Sequence, residues 1–191
     1  CDEKTEIVGF VVNIPPFTRG SQLDDKPIYW IDDLEEMDKD IKVVCAFARM
    51  KRTELIRQVQ DLGFTFTNVI HPNAGISRRA KIGTGVIISG GVQIASGAEI
   101  GNHVILNRGA LVGHDTRLED YCVLLPGANI AGNVSVGEKT TIGMGANIID
   151  KLTIGKGCMI GAGSLLTKDI PDHVKVVGMP AVIIEKDLTE E

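Results

Sequence analysis

The pair of residues best suited to catalysis in this chain is His114–Asp115. A neutral imidazole has an ordinary pKa of about 6.5 and takes up a proton readily near neutral pH. A carboxylate beside it can orient the ring and stabilise the charge that it acquires, as in hydrolase triads. The pair could therefore act as a general base toward an amine or a hydroxyl group. The chain has four histidines in all: His71, His103, His114 and His173.

The other three histidines are weaker candidates for chemistry. We expect His103 at an exposed corner of the fold and no role for His173. His71 precedes Pro72 where the sequence changes character, so packing is the simpler expectation and a contact with an acceptor the alternative. His114 is thus the leading candidate for acid–base chemistry.

The composition limits the classes of function. The 191 residues are 43% hydrophobic, enough for one large domain or two small ones. The net charge of -5 argues against nucleic acid and anionic membranes as partners. No apolar run approaches the roughly 20 residues of a membrane span. Four cysteines without CxxC spacing indicate a reducing cytoplasm, and Cys122 and Cys158 are expected as small buried residues, not nucleophiles.

A six-residue repeat dominates the chain after residue 75. An aliphatic residue recurs at every sixth position, sixteen times without a slip. The series is Ile76, Ile82, Ile88, Ile94, Ile100, Leu106, Val112, Leu118, Leu124, Ile130, Val136, Ile142, Ile148, Ile154, Ile160 and Leu166. The position four residues after each aliphatic residue is nearly always small or β-branched. The residue directly after the aliphatic one is often Gly.

A period of six excludes a helix face, whose period is 3.6. Three short strands separated by corners explain it, with the aliphatic and the small residue both pointing inward and Gly relieving the bend. Sixteen hexapeptides make about 5.3 coils, and at about 4.8 Å between strands the prism is roughly 25 Å long. The repeat therefore predicts a mainly β fold, a parallel β-helix.

The first seventy residues have a different pattern. They predict buried strands over 6–12, 41–47 and 64–70, with a loop over 13–25. A short helix over 33–37, capped by Asp32, and a longer helix over 50–62, ending at Gly63, lie between them. Alternating strands and helices predict a small parallel α/β domain.

The whole chain resembles a family of sugar O- and N-acetyltransferases, which includes the sialic acid O-acetyltransferases and the PglD-type acetyltransferases of UDP-4-amino-sugars. The residues that carry the resemblance are EIVGF, the segment ending in LGF, IHPNAGIS, NRGALVGHDTRLEDY, PGANIAGNVSVG and VVGMPAVII. The resemblance implies a left-handed β-helix over 71–171, a Rossmann-like acceptor-binding α/β domain over 1–70 and a C-terminal extension over 172–191.

The resemblance also implies a function. It is direct transfer of acetyl from acetyl-CoA to a sugar, above all the amino group of a nucleotide-linked amino sugar, in bacterial surface polysaccharide or glycan biosynthesis. The general base would be His114, assisted by Asp115, in a cytoplasmic homotrimer without a metal. Acceptor-binding residues would be Asn107, Asn13 and His71, although a turn alone explains an Asn at position 107. The residues near coenzyme A would be Gly132, Gly143, Ala162, Gly178 and Pro180.

The chain departs from the family pattern near its start. It begins at Cys1, after the first strand and Gly-rich turn, so roughly the first 25 residues of the pattern are missing. Val11, Val12 and Asn13 stand where the family usually has two acidic residues, which weakens a claim for a uridine nucleotide.

Three alternatives remain open. One is O-acetylation of sialic acid or another sugar hydroxyl. A second is a zinc hydratase of the γ-carbonic anhydrase kind, which needs three histidines, whereas only His103 and His114 lie in the repeat. The third is a non-catalytic β-helix that acts as a scaffold or binding protein.

Overall fold

The computed structural model describes residues 6–12, 20–47 and 52–188, and the hexapeptide repeat in it forms a β-solenoid. Each aliphatic residue of the repeat is the second residue of a two-residue strand. Each strand up to Asn147–Ile148 pairs in parallel with the strand 18 residues further on, as Gln93 does with Leu111, so three hexapeptides make one coil. The predicted β-helix is thus confirmed as a mainly β solenoid.

The strands of the solenoid stack into three faces. The first face holds β7 (Gly75–Ile76), β10 (Gln93–Ile94), β13 (Leu111–Val112), β16 (Asn129–Ile130), β19 (Asn147–Ile148) and β22 (Leu165–Leu166). The second face holds β8 (Lys81–Ile82), β11 (Glu99–Ile100), β14 (Arg117–Leu118), β17 (Ser135–Val136) and β20 (Thr153–Ile154). The third face holds β6 (Val69–Ile70), β9 (Ile87–Ile88), β12 (Ile105–Leu106), β15 (Val123–Leu124), β18 (Thr141–Ile142), β21 (Met159–Ile160), β23 (Lys175–Gly178) and β24 (Ala181–Glu185).

The solenoid interior is filled as the repeat predicts. The aliphatic residues from Ile88 to Leu166 and the small residues between them form one continuous buried core. Polar members of the small position are buried with hydrogen bonds: Thr116 Oγ1 donates to the Ala131 carbonyl at 2.9 Å, and Thr140 Oγ1 to the Gly155 carbonyl at 2.7 Å. Because every coil satisfies the backbone of the next, the prism holds side chains on its outer surface in fixed rows.

Three edges join the faces, and at each edge one residue per coil has a left-handed backbone. On the edge between the third and first faces, which we call the glycine edge, these residues are Gly91, Gly109, Gly127, Gly145 and Gly163. On the edge between the first and second faces, the histidine edge, they are Gly97, Asp115, Asn133 and Lys151. On the edge between the second and third faces, the junction edge, they are Gly85, His103, Tyr121, Lys139, Gly157 and His173.

The N-terminal part packs beside the junction edge. It holds a three-stranded sheet of β1 (Phe10–Val12), β3 (Lys26–Trp30) and β2 (Gln22–Leu23), and a parallel pair of β4 (Lys42–Val43) and β5 (Thr65–Phe66). The only α-helix in the described ranges, α1 (Arg52–Asp61), connects β4 to β5. Arg52 Nη2 donates to the Tyr121 carbonyl at 2.7 Å, which fastens this helix to the solenoid.

Several predicted N-terminal elements differ from the structure. The predicted loop over 13–25 contains β2, because Gln22 and Leu23 pair antiparallel with Pro27 and Lys26 of β3 in a local hairpin. A 3-10 helix spans Ile31–Glu36, and its cap is Trp30, whose N–H donates to Asp33 Oδ2 at 2.7 Å, not Asp32. The predicted strand over 64–70 is divided into β5 and β6, because β6 leaves the N-terminal part and pairs with β9.

The C-terminal residues extend the solenoid. β23 continues the third face in parallel with β21, and β24 returns antiparallel to it. Gly178 N–H donates to Ser164 Oγ at 3.2 Å, which places the turn between these strands at the glycine edge. Within residues 6–12, 20–47 and 52–188, no helix has the length and apolar character of a membrane span.

Candidate active site

His114 and Asp115 lie together on the histidine edge, directly after β13. His114 Nδ1 and Asp115 Oδ2 are 3.0 Å apart, and the two side chains are 62% and 63% exposed. An ionised carboxylate only accepts hydrogen bonds, so the hydrogen is assigned to Nδ1 and Nε2 keeps its lone pair. The arrangement leaves an oriented, solvent-accessible proton acceptor on the prism surface.

Gly132 lies beside this imidazole, one coil further on. A Cβ at position 132 would lie 2.5 Å from His114 Nε2, so any larger residue would crowd the lone pair. Gly132 is itself buried, because the imidazole lies over the place that its side chain would take.

Comparisons with known proteins found a matching family model and similar solved structures. The family model described as bacterial transferase hexapeptide (six repeats) matches residues 133–168. One similar solved structure is a histidine-to-alanine mutant of GDP-perosamine N-acetyltransferase from Caulobacter crescentus in complex with CoA and GDP-perosamine. It is 34% identical, with a TM-score of 0.86 over 93% of this chain and 85% of that chain. No curated protein matched the sequence.

Two further structures are similar over nearly the same extent. The acetyltransferase domain of PglB from Neisseria gonorrhoeae FA1090, in complex with acetyl coenzyme A, is 31% identical, with a TM-score of 0.84 over 92% of this chain and 87% of that chain. WeeI from Acinetobacter baumannii AYE is 30% identical, with a TM-score of 0.85 over 92% and 85% of the two chains. This chain belongs to the hexapeptide-repeat sugar acetyltransferases. The resemblance drawn from its motifs is confirmed, and the protein is an acyltransferase.

The other site residues expected of this sugar acetyltransferase lie on a different edge. His71, Asn107 and Gly143 each follow a strand of the third face, so they form one row along the glycine edge, two coils apart from one another. Ala162 lies on the same edge, and the turn with Gly178 and Pro180 extends it. Asn13 lies outside the described residues.

The site residues of the acetyltransferase thus form two groups in one chain. His114, Asp115 and the coenzyme A candidate Gly132 are on the histidine edge, whereas the other described acceptor and coenzyme A candidates are on the glycine edge. The strand β13 spans the first face between Asn107 and His114, so these two residues lie at opposite borders of that face.

The left-handed residues of the glycine edge are open to the outside. A Cβ would meet no atom within 4 Å at Gly109, Gly145 or Gly163, whereas the matching positions of the other two edges carry Asp, Asn, Lys, His and Tyr side chains. The backbone conformation therefore does not by itself require Gly at this edge. Sequence reasoning missed this row, although its signal is present as glycines spaced by 18 residues.

The expectation for His103 is wrong. The residue is 4% exposed, stacked on Tyr121 with ring centroids 5.4 Å apart and edge-on to Phe66 at 4.7 Å. Burial, with the nearby Arg52 cation, lowers the pKa of its imidazole. Because the N-terminal part covers this corner, His103 is a packing residue. Among the described residues, no group of three or more His, Cys, Asp or Glu side chains could hold a metal ion.

Cys122 and Cys158 are buried in the solenoid core as free thiols, which agrees with the small inward position. Burial raises the pKa of the Cys122 thiol to about 12. A cavity of about 340 Å³ in the N-terminal part is lined by aliphatic and aromatic residues, among them Val11, Val43 and Leu55. Its hydrocarbon lining offers little to a charged nucleotide or a sugar.

Proposed function

We propose that this protein transfers the acetyl group of acetyl-CoA to the amino group of a nucleotide-linked amino sugar, with His114 as the general base. The observation that carries the proposal is the exposed His114–Asp115 pair, in which Nδ1 lies 3.0 Å from Asp115 Oδ2 and Nε2 is left to accept a proton. The nucleotide-linked amino sugar follows from the similarity to enzymes whose structures contain GDP-perosamine.

The proposed chemistry is a direct transfer. The sugar amine attacks the thioester carbonyl, a C–N bond forms, and the C–S bond breaks as coenzyme A leaves. His114 Nε2 takes the proton that the amine loses, while Asp115 accepts from Nδ1 and stabilises the imidazolium.

The glycine edge is the proposed location of coenzyme A. A bare backbone row allows a long thin molecule to lie directly against the chain. Gly143, Ala162 and the turn with Gly178 and Pro180 lie along it, and the Ala162 N–H has no partner among the described residues. Asn107 and His71 on the same edge are the proposed contacts of the acceptor.

The separation of the two edges supports a parallel homotrimer. A threefold rotation about an axis parallel to the prism does not change the position of a residue along that axis. His114 of one copy would therefore lie at about the same level as Asn107 of the next copy. Exposed apolar residues lie on and beside the first face between these edges: Leu111 is 40% exposed, Met144 55% and Ile149 40%. Contact between copies would cover them and complete a shared site.

The remaining assignments follow from the family. We propose a left-handed solenoid, an acceptor-binding α/β domain of the Rossmann-like kind over 1–70, a catalytic β-helix over 71–171 and an extension over 172–191. The parallel β4–α1–β5 unit supports the α/β assignment. A cytoplasmic enzyme of bacterial surface polysaccharide or glycan synthesis is the proposed context.

The test is release of free thiol from acetyl-CoA, measured over GDP-perosamine, UDP- and dTDP-linked amino sugars and free sialic acids. We expect turnover with an amino-sugar nucleotide, loss of it in His114→Ala, and full retention in Asp150→Ala, an exposed residue two coils away on the same edge. Turnover with sialic acid alone would support O-acetylation. Absence of thiol release with every acceptor would refute the enzyme assignment in favour of a scaffold.

A further inference from the structure

The histidine edge contains one glycine that its backbone does not explain. The left-handed residues of this edge are Gly97, Asp115, Asn133 and Lys151, with φ of 75°, 55°, 57° and 61°. Three of these four positions carry side chains in the same conformation. The left-handed backbone favours glycine at position 97 but does not by itself demand it.

Contact with Asp115 is the reason that the geometry offers. A Cβ built on Gly97 would clash with Asp115 Oδ1, which folds back over this glycine from the next coil. The Asp115 N–H donates to the Ser96 carbonyl at 3.0 Å, so the backbone beneath the carboxylate is held in place. The other carboxylate oxygen, Oδ2, is the one 3.0 Å from His114 Nδ1.

We propose that Gly97 is a positioning residue of the active site. It leaves the space in which the Asp115 carboxylate lies while it accepts from His114, so it acts on the general base through Asp115. This inference rests on the proposed role of His114 and Asp115. Gly132 leaves the space in which the His114 ring lies, and Gly97 leaves the space for the Asp115 carboxylate from the opposite neighbouring coil.

The expected response to a side chain at Gly97 is movement of Asp115, not disruption of the coil. The clashing atom is the end of a side chain that is 63% exposed, so the carboxylate can rotate into solvent. The imidazole then loses the partner that holds the hydrogen on Nδ1. A second tautomer, with the hydrogen on Nε2, becomes populated and cannot accept a proton at that atom.

The test compares Gly97→Ala with Gly157→Ala. Gly157 lies on the junction edge, has a positive φ of 61°, and a Cβ there would lie 2.6 Å from His173 Nδ1, so this control carries both backbone strain and a clash with a side chain of the next coil, away from Asp115. We expect similar thermal midpoints for the two variants. We expect kcat with acetyl-CoA and GDP-perosamine, or the best acceptor of the thiol-release panel, to fall at least about threefold in Gly97→Ala relative to Gly157→Ala.

A double-mutant cycle tests whether the effect passes through Asp115. Asp115→Gly removes the carboxylate without backbone strain, since Gly adopts positive φ freely. In that background, Gly97→Ala should change kcat by less than about twofold, the limit for independent sites. Should Gly97→Ala fail to fold, Gly97→Asn, which copies the residue at Asn133, replaces it in the same cycle.

An acceptor-independent measurement separates this inference from the proposed function. NMR of protein with ¹⁵N-labelled imidazoles, of which the chain has four, reports the tautomer of His114. We expect the form with hydrogen on Nδ1 in the wild type and in Gly157→Ala, and a mixture in Gly97→Ala. An unchanged tautomer and kcat in Gly97→Ala, with a loss in Asp115→Gly, overturns the inference alone. Full kcat in Asp115→Gly overturns the dyad as well.

Discussion

Complementation between two inactive variants tests the shared site directly. His114→Ala removes the base on the histidine edge, and Asn107→Ala removes the acceptor amide on the glycine edge. In a parallel threefold assembly, each site would take His114 from one copy and Asn107 from the next. Two variants that are inactive alone should then restore intact sites when they assemble together.

The expected recovery follows from counting the sites that contain an intact His114 and an intact Asn107. With equal amounts of the two variants and random assembly, a given site has an intact His114 with a probability of one half and an intact Asn107 from the next copy with the same probability. About one quarter of the sites in the whole pool are therefore complete, and one third of those in the mixed trimers, because each mixed trimer contains a single neighbouring pair with both residues intact. The His114→Ala protein alone should retain about 10⁻²–10⁻⁴ of the wild-type turnover, so a recovery of about one third in the purified mixed assembly is easily measured.

The assay uses co-expression of the two variants with different affinity tags, two-step purification of the mixed assembly, and thiol release per chain. The matched control pairs His114→Ala with Asp115→Gly. These two residues are neighbours in one copy, so mixing them restores no site that contains both. Sedimentation equilibrium should give three times the chain mass of 20.5 kDa.

Two results would contradict the reasoning. Turnover of the mixed His114→Ala and Asn107→Ala assembly no higher than the mean of the separate proteins would place both residues in a site within one copy. A monomeric mass at micromolar concentration would remove the shared site altogether. Equal recovery in the His114→Ala and Asp115→Gly control would indicate exchange or contamination by wild type, which mass spectrometry of the purified assembly detects.

Other predictions follow from burial and exposure. His114→Ala should lower kcat by about 10²–10⁴-fold with the thermal midpoint nearly unchanged, since its side chain is 62% exposed; a large drop in the midpoint would indicate a structural role. Iodoacetamide at pH 9 should label Cys45 and spare Cys122 in folded protein, because burial raises the pKa of the Cys122 thiol to about 12; mass spectrometry of the peptides decides this. Burial lowers the pKa of the His103 imidazole in the folded protein, so the unfolded chain binds more protons as the pH drops below about 6.5. The free energy of unfolding should therefore decrease by at most about 1.4 kcal/mol for each pH unit of acidification. His103→Asn, which tolerates the left-handed backbone, should flatten this dependence in urea titrations at pH 7.5 and 5.5, and an unchanged slope would refute it.

The sequence alone determined the solenoid. A strict six-residue period leaves one arrangement in which Ile76 and the fifteen aliphatic residues after it all point inward, because each coil repeats the same three strands. The His114–Asp115 pair was also readable, since adjacent residues at one corner remain adjacent in any fold of that chain. Gly132 followed from the 18-residue coil that places it beside His114.

The tertiary structure decided what lies across the edges and between the two parts of the chain. Asn107 and His114 belong to one motif, yet a strand spanning a whole face separates them, and only the three-sided coil shows this. His103 occupies the same corner position as residues that are exposed elsewhere in the repeat. Arg52, which is far away in the sequence, holds helix α1 against the solenoid, and the N-terminal part therefore covers His103. The carboxylate above Gly97 comes from the next coil. Such contacts depend on the positions of whole elements in space, and local pattern carries no information about them.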